Sequence, residues 1–263
     1  MVRIAVAQFA PGADGEANLA AVRRLVVEAG RQGAALVVLP EYSSFFEHRM
    51  GPRFVEHAQP LDGPFTAAVW AAAAEAGLVA VFGLVETGDG ERFRNAAVAV
   101  SGDGVLAVYR KTHLYDAFGA HESEWVEPGA LEPPQTFLVD GLRVGLQTCY
   151  DLRFPEVTRV LADADVDLVA VPADWVPGEG KVHHWRTLLT ARAIENTAFV
   201  AAAGQVPPEG VGTSLVLDPA GAVLAELGEE PGLALADLDP ERLRAVRAAN
   251  PSLALRRYTV LPR

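Results

Sequence analysis

The sequence predicts an α/β protein in which two β-sheets pack together as one domain spanning residues 1–263. Three observations carry that expectation. Strand-like apolar runs and helical patterns alternate from the first residues. The two halves supply such elements in a similar order. No Ser/Gly/Pro-rich linker, tandem repeat or low-complexity tract divides the chain.

The elements follow in order. Ile4 to Gln8 is a strand, and Leu19, Val22, Leu25, Val26 and Ala29 give Asn18 to Arg31 a helical period. Leu36 to Leu39 is a fully apolar strand that stops at Pro40-Glu41. Pro64 to Ala76 is an alanine-rich helix with proline in its first turn and Gly77 at its end. Val79 to Glu86 is a strand, and Arg94 to Ser101 with Val105 to Lys111 form a hairpin around Gly102-Asp103-Gly104. Thr112 to Pro134 has no period, and a loop of that length is more often a binding loop than a connector. Strand Val144 to Thr148, helix Phe154 to Ala164, strand Val166 to Val171, helix His183 to Glu195 and strand Ala198 to Ala203 follow. Strands near Gly212 to Leu217, Ala222 to Glu226 and Leu233 to Asp237 precede a last helix, Pro240 to Ala249. The tail, about 250–263, carries Leu253, Leu255, Tyr258, Val260 and Leu261 without amphipathic spacing, and is expected to dock on a second subunit.

Composition removes several functions. A formal charge of −12 argues against a nucleic-acid binder, which needs a basic surface to displace counterions. No apolar stretch reaches the ~20 residues that span a bilayer, and the N-terminus reads as a strand rather than a signal peptide. One cysteine excludes an intrachain disulfide and any cysteine-rich metal site, which fits a reducing, cytoplasmic setting. No cofactor or metal is indicated, since the adjacent His183 and His184 would face different ways on a helix and Gly210 to Ser214 lacks the Gly-Lys-Ser/Thr of a phosphate loop.

Three apolar strands end abruptly in a reactive residue: Glu41, Lys111 and Cys149. Taken singly, each has a plainer reading as a turn cap, a solvated strand end and a buried structural thiol. Together, if the strands lie side by side, they would assemble a carboxylate, an ammonium and a thiol. A cysteine of ordinary pKa, about 8.5, is only a few per cent thiolate at neutral pH, so a carboxylate to take its proton and a cation or helix N-terminus to favour the anion are what nucleophilic attack requires. Lys111 and the backbone N–H of Tyr150 could stabilise the oxyanion.

On these residues the chain resembles the carbon–nitrogen hydrolase (nitrilase) superfamily, marked by a Glu-Lys-Cys triad in this order. The matching stretches are Leu39-Pro40-Glu41-Tyr42, Tyr109-Arg110-Lys111-Thr112-His113-Leu114 and Gln147-Thr148-Cys149-Tyr150-Asp151-Leu152-Arg153-Phe154-Pro155-Glu156. Met1 to Phe9, Glu122-Ser123 and Arg192-Ala193-Ile194-Glu195-Asn196 add to them. The resemblance implies a four-layer αββα sandwich pairing into a homodimer or higher homo-oligomer. It implies Glu41 as general base, Lys111 as oxyanion stabiliser, Cys149 as nucleophile and Glu122 as a second glutamate positioning lysine and water. The Cys-Tyr-Asp-x-Arg-Phe form resembles the omega-amidase and deaminated-glutathione amidase branch, whose small amide substrates carry carboxylates.

Substrate-binding candidates are Tyr42, His113, Tyr150, Arg153, Asp174 and Trp175. Arg153 reads equally as a carboxylate clamp or as an ion-pair partner of Glu156 or Asp151. Asp174 would repel an acidic substrate or simply accept loop hydrogen bonds. His113 is expected to orient its neighbours rather than act as a base. The same triad would serve an N-carbamoyl-amide hydrolase, a nitrilase or an acyl transferase, and an inert oligomeric binding protein could keep the fold without the reaction.

Overall fold

The computed structural model describes residues 1–262; Arg263, the last residue of the tail expected to dock on a partner, lies outside them. The first half runs β1 (Val2–Gln8), α1 (Gly15–Arg31), β2 (Leu36–Val38), α2 (Pro52–Glu56), α3 (Pro64–Ala76), β3 (Val79–Thr87), β4 (Phe93–Ser101) and β5 (Gly104–Arg110). The second runs β6 (Thr136–Val139), β7 (Leu142–Leu146), α4 (Pro155–Asp163), β8 (Leu168–Ala173), α5 (Lys181–Asn196), β9 (Phe199–Gly204), β10 (Leu215–Leu217), β11 (Val223–Glu226), β12 (Gly232–Leu238) and α6 (Pro240–Ala249). Short 3₁₀ turns stand at Glu122–Glu124 and Cys149–Arg153.

The strands form two six-stranded sheets, ordered β12-β1-β2-β3-β4-β5 and β11-β10-β9-β8-β7-β6. β1, β2 and β3 are parallel, as are β7, β8 and β9, and the remaining pairings are antiparallel. Side-chain alternation along the strands sorts the layers. Ile4 and Val6 of β1 share the inter-sheet core with Val144, Leu168 and Phe199, whereas Ala5 and Ala7 pack with Val22, Leu25 and Val26 of α1. In the other sheet Val169, Val171 and Val200 face outward to Leu161, Trp185 and Leu189 of α4 and α5. The result is helix, sheet, sheet, helix: the four-layer αββα sandwich that the resemblance implied.

Caps fix the helix ends. Asp14 accepts from the N–H groups of Glu16 and Ala17, and α3 starts on Pro64 and ends at Gly77 in the left-handed region. Two elements differ from the sequence reading. α2 is a five-residue helix outside the expected list. β6 joins β7 through Asp140-Gly141, both at positive φ as a tight hairpin turn requires. Leu138 of β6 faces solvent, so the strand reads as a short continuous apolar run and shows no alternation.

The three strands that end in Glu41, Lys111 and Cys149 do not lie side by side as expected. β3 and β4 separate β2 from β5, and β7 belongs to the opposite sheet. What converges is one end of the sandwich, with Glu41 and Lys111 delivered from one sheet and Cys149 from the other.

Candidate active site

Beyond β7 the chain turns sharply at Cys149, whose φ of 44° is in the left-handed region, a strained placement for a side-chain-bearing residue. Asp151, fully buried, holds that turn. Its Oδ2 accepts from the Thr148 N–H at 3.2 Å and from the Tyr109 hydroxyl at 2.8 Å. Its Oδ1 accepts from the His113 N–H at 3.0 Å and from the Thr112 hydroxyl at 3.2 Å, and lies 2.9 Å from His113 Nδ1. One carboxylate thus ties the segment carrying Lys111 to the turn carrying Cys149.

Lys111 is only 2 % exposed and bridges two carboxylates. Its Nζ donates to Glu41 Oε1 at 3.0 Å and to Glu122 at 2.9 and 3.0 Å. Asn95 of β4 donates through Nδ2 to Glu41 Oε1 at 2.7 Å and to Glu122 Oε1 at 3.2 Å. The Tyr42 hydroxyl donates to Glu122 Oε1 at 2.6 Å, and the Tyr115 N–H to Glu122 Oε2. Glu41 Oε2 accepts from the Asp174 N–H at 2.6 Å, and the Cys149 thiol donates to the Asp174 carbonyl at 3.2 Å. Asp174, just past the end of β8, therefore touches both the sulfur and the glutamate through its backbone.

Gly83 makes the position of Glu41 possible. A Cβ there would meet Tyr42 N at 2.4 Å and Glu41 Cα at 2.6 Å. Gly83→Ala should cost about 1–3 kcal/mol of stability through overpacking. By shifting the glutamate it should also lower kcat/KM for an amide about 10²-fold, the effect of an ångström-scale misplacement. A variant with a lowered Tm but an undiminished kcat/KM would show that the glutamate tolerates displacement.

Electrostatics set the resting protonation. Burial, with the Glu41 charge, pushes the Cys149 thiol well above its ordinary pKa, and Lys111 only partly opposes this. The help that the helix end and the lysine were expected to give the thiolate is therefore outweighed by desolvation and the nearby glutamate. Burial also raises Glu41 against the pull of Lys111, making it a stronger base. For Lys111 burial works against the charge, but Glu122 and Glu41 more than offset it and hold the ammonium well above its usual range.

Burial and then the Glu41 charge raise Asp174 well above the carboxylate range, and its Oδ1 is buried with no partner. That favours a neutral carboxyl and weakens the repulsion of acidic substrates expected from the sequence. The sign follows from linkage: stability tied to this group is full below its unfolded pKa and is lost as pH rises through the higher folded value. Asp174→Asn should accordingly raise Tm, and by more at about pH 8 than at about pH 5. A Tm gain independent of pH would contradict it.

These groups open onto a cavity of about 740 Å³, within the usual size of a small-molecule site. Glu41, Tyr42, Lys111, Glu122, Cys149, Tyr150, Arg153, Asp174 and Trp175 all line it. His113 does not; its ring stacks on Phe154 at 3.8 Å and faces Asp151. Arg153 makes no ion pair with Glu156 or Asp151, and its guanidinium lies over the Phe118 and Trp175 rings instead. Arg192 pairs with Glu195 at 2.7 Å and donates to the Leu152 carbonyl at 2.7 Å, bracing the cysteine turn from α5. Among the described residues, no group of three or more His, Cys, Asp or Glu could hold a metal.

The sequence reading did not single out Asn95, Asp151 as a tie, or Gln205, whose Nε2 donates to the Glu41 carbonyl at 3.1 Å. The available signal was a polar residue interrupting an apolar strand, as Asn95 does between Phe93 and Val100.

A two-sheet α/β sandwich with a buried thiol, an ammonium and carboxylates facing one cavity has the groups that hydrolysis through a cysteine requires. The carbon–nitrogen hydrolase family model matches residues 3–248, and the chain belongs to that family. Hydrolase Rv0480c of Mycobacterium tuberculosis is 42% identical over 265 residues, covering 94% of this chain and 92% of that protein. The deaminated glutathione amidase of Escherichia coli O157:H7 is 36% identical over 255 residues, covering 97% of both. Among solved structures, an amidase from Nesterenkonia sp. AN1 superposes with a TM-score of 0.80 at 30% identity, covering 97% of this chain and 94% of that one. That structure shows covalent addition of the acetamide moiety of fluoroacetamide at its active-site cysteine. No helix among the described residues is long and apolar enough to cross a membrane.

Proposed function

We propose that Cys149 attacks the carbonyl of a small linear amide, forming a thioester that water then hydrolyses to a carboxylic acid. Glu41 takes the thiol proton as the bond forms and passes it to the departing ammonia or amine. Lys111 and the backbone N–H of Tyr150 stabilise the tetrahedral oxyanion. Glu122, bound to Lys111, Asn95 and Tyr42, positions the lysine and the attacking water. The observation that carries this reading is one ammonium bridging two buried carboxylates on the wall of the cavity that Cys149 also lines.

A neutral resting thiol beside a strengthened base means that proton transfer accompanies attack, so the sulfur gains its charge only with substrate present. Tyr150 and Trp175 shape the pocket, and His113 acts through Asp151 rather than on substrate. The adduct of the Nesterenkonia amidase supports a nucleophilic cysteine, and that enzyme's complexes with acrylamide and butyramide favour an amide over a carbamoyl compound or a nitrile.

The whole chain works as one unit, in the cytoplasm, as a homodimer or larger homo-oligomer. Leu255, Tyr258 and Leu261, which are 70–90% exposed in the isolated chain, supply the apolar contact surface.

Ammonia release from small amides, N-carbamoyl amino acids and nitriles, combined with mass spectrometry of the quenched enzyme, tests the reading. The expected result is ammonia from an amide and a mass gain equal to its acyl group at Cys149. Carbon dioxide accompanying ammonia, turnover of nitriles alone, or no adduct with any substrate would overturn it.

A further inference from the structure

No step of the proposed reaction uses the Asp174 side chain, yet its backbone touches both groups that begin it. The Asp174 N–H donates to Glu41 Oε2 at 2.6 Å, and its carbonyl accepts from the Cys149 thiol at 3.2 Å. The side chain branches from that same point. Asp174 is half-buried and lines the cavity, and its carboxyl makes no hydrogen bond or ion pair among the described residues. Oδ1 is sealed from solvent with nothing to bond to. A buried polar group left unpaired is costly, so one held without a partner beside a nucleophile points to a ligand in the cavity.

The bonds of Glu41 decide which part of a substrate comes within reach. Oε1 already accepts from Lys111 Nζ at 3.0 Å and from Asn95 Nδ2 at 2.7 Å. Oε2 accepts only the Asp174 N–H, which leaves it the oxygen free to take the thiol proton and hand it to the leaving nitrogen. That nitrogen must therefore approach Oε2, beside Asp174. The carbonyl oxygen is claimed by Lys111 and the Tyr150 N–H.

An amide nitrogen brings only hydrogens to this place. Its lone pair is delocalised into the carbonyl in the substrate and is taken up by the proton from Glu41 as the C–N bond breaks. Its complement is an acceptor. A carboxyl kept neutral by burial still has lone pairs on its cavity-facing oxygen, whichever oxygen holds the proton. The bond strengthens as the nitrogen gains positive charge. The bridging oxygen of an ester, in the same position, brings no hydrogen at all.

Resting on the amidase reading, we propose that Asp174 contacts the scissile nitrogen, its carboxyl accepting an N–H of the substrate, and so selects amides that carry an N–H over esters of the same acyl group. Glu41 remains the group that moves the proton; Asp174 reads the atom that receives it.

The test compares butyramide with methyl butyrate, which deliver the same acyl group to Cys149. Asp174→Ala should lower kcat/KM for butyramide about 10–100-fold, the loss of a charge-assisted hydrogen bond, and the amide-to-ester ratio at least about tenfold. Asp174→Asn, which keeps an acceptor oxygen, should restore part of that ratio. A role in placing Glu41 or the sulfur alone would slow both substrates alike. Binding to the Cys149→Ala protein, followed by the fluorescence of Trp175 in the cavity wall, reads the contact without turnover. N-methylbutyramide and methyl butyrate are nearly isosteric and differ in N–H against O. The amide should bind about 2–10-fold tighter, and adding D174A should remove that preference. Equal losses for amide and ester, or a ratio that D174A leaves unmoved, overturn the proposal. If neither compound is hydrolysed but D174A removes the binding preference, the contact stands and the amidase reading fails. If the preference is absent, or survives D174A, the contact is refuted whatever the enzyme hydrolyses.

Discussion

Cys149→Ala is expected to lower amide turnover by about 10⁴-fold or more, as loss of the nucleophile does in enzymes that work through covalent intermediates. The sulfur lies at a strained turn fixed by Asp151, with the Asp174 backbone bonded to both it and Glu41. No second thiol exists to replace it. Cys149→Ser should be nearly as inactive, because a hydroxyl gives up its proton far less readily than a thiol and the same burial opposes its anion too. The oxyanion donors and the cavity remain in both variants, so amide binding should persist. Ammonia release against time, with circular dichroism to confirm folding, gives the answer. An alanine variant with the wild-type rate would remove covalent catalysis from the account.

Lys111→Met should lower turnover about 10³-fold and also destabilise the fold by about 3–5 kcal/mol, the cost of removing one partner from a buried charge network. Methionine fills nearly the same volume, so the loss reports charge rather than a cavity. Without the ammonium, Glu41 and Glu122 face each other through shared donors with no cation between them, and one must take up a proton. A protonated Glu41 cannot accept the thiol proton. The acid limb of the pH–rate profile should therefore move to higher pH, since the interaction holding Glu41 down has been removed. Combined urea denaturation and pH–rate measurement would show both effects. A fully active variant with unchanged stability would mean that the lysine is an onlooker.

The fold was legible wherever periodicity is strong. Pro64–Ala76 and Pro240–Ala249 coincide with the expected helices because proline, glycine and aspartate mark their ends. β6 was not legible, since an outward-facing Leu138 disguises its alternation. Glu41, Lys111 and Cys149 were each visible as an abrupt end to an apolar run, whereas Glu122 rested on the resemblance alone and Asn95 went unread. Their arrangement was not visible, because adjacency in a sheet depends on crossovers that spacing does not encode; β3 and β4 intervene where direct neighbours were expected. Protonation was the least readable property. The sequence shows a lysine and a helix start near the thiol, but the depth of burial that reverses their effect exists only in three dimensions.

Base and cation come from one sheet and sulfur from the other, so the reactive centre belongs to neither half alone. A chain still being folded, or one whose layers have come apart, carries an ordinary sulfhydryl with no proton acceptor beside it. Assembly of the sandwich thereby switches the chemistry on: misfolded copies should turn over no amide, and loss of amide turnover on heating should track separation of the layers rather than local melting at the cavity mouth.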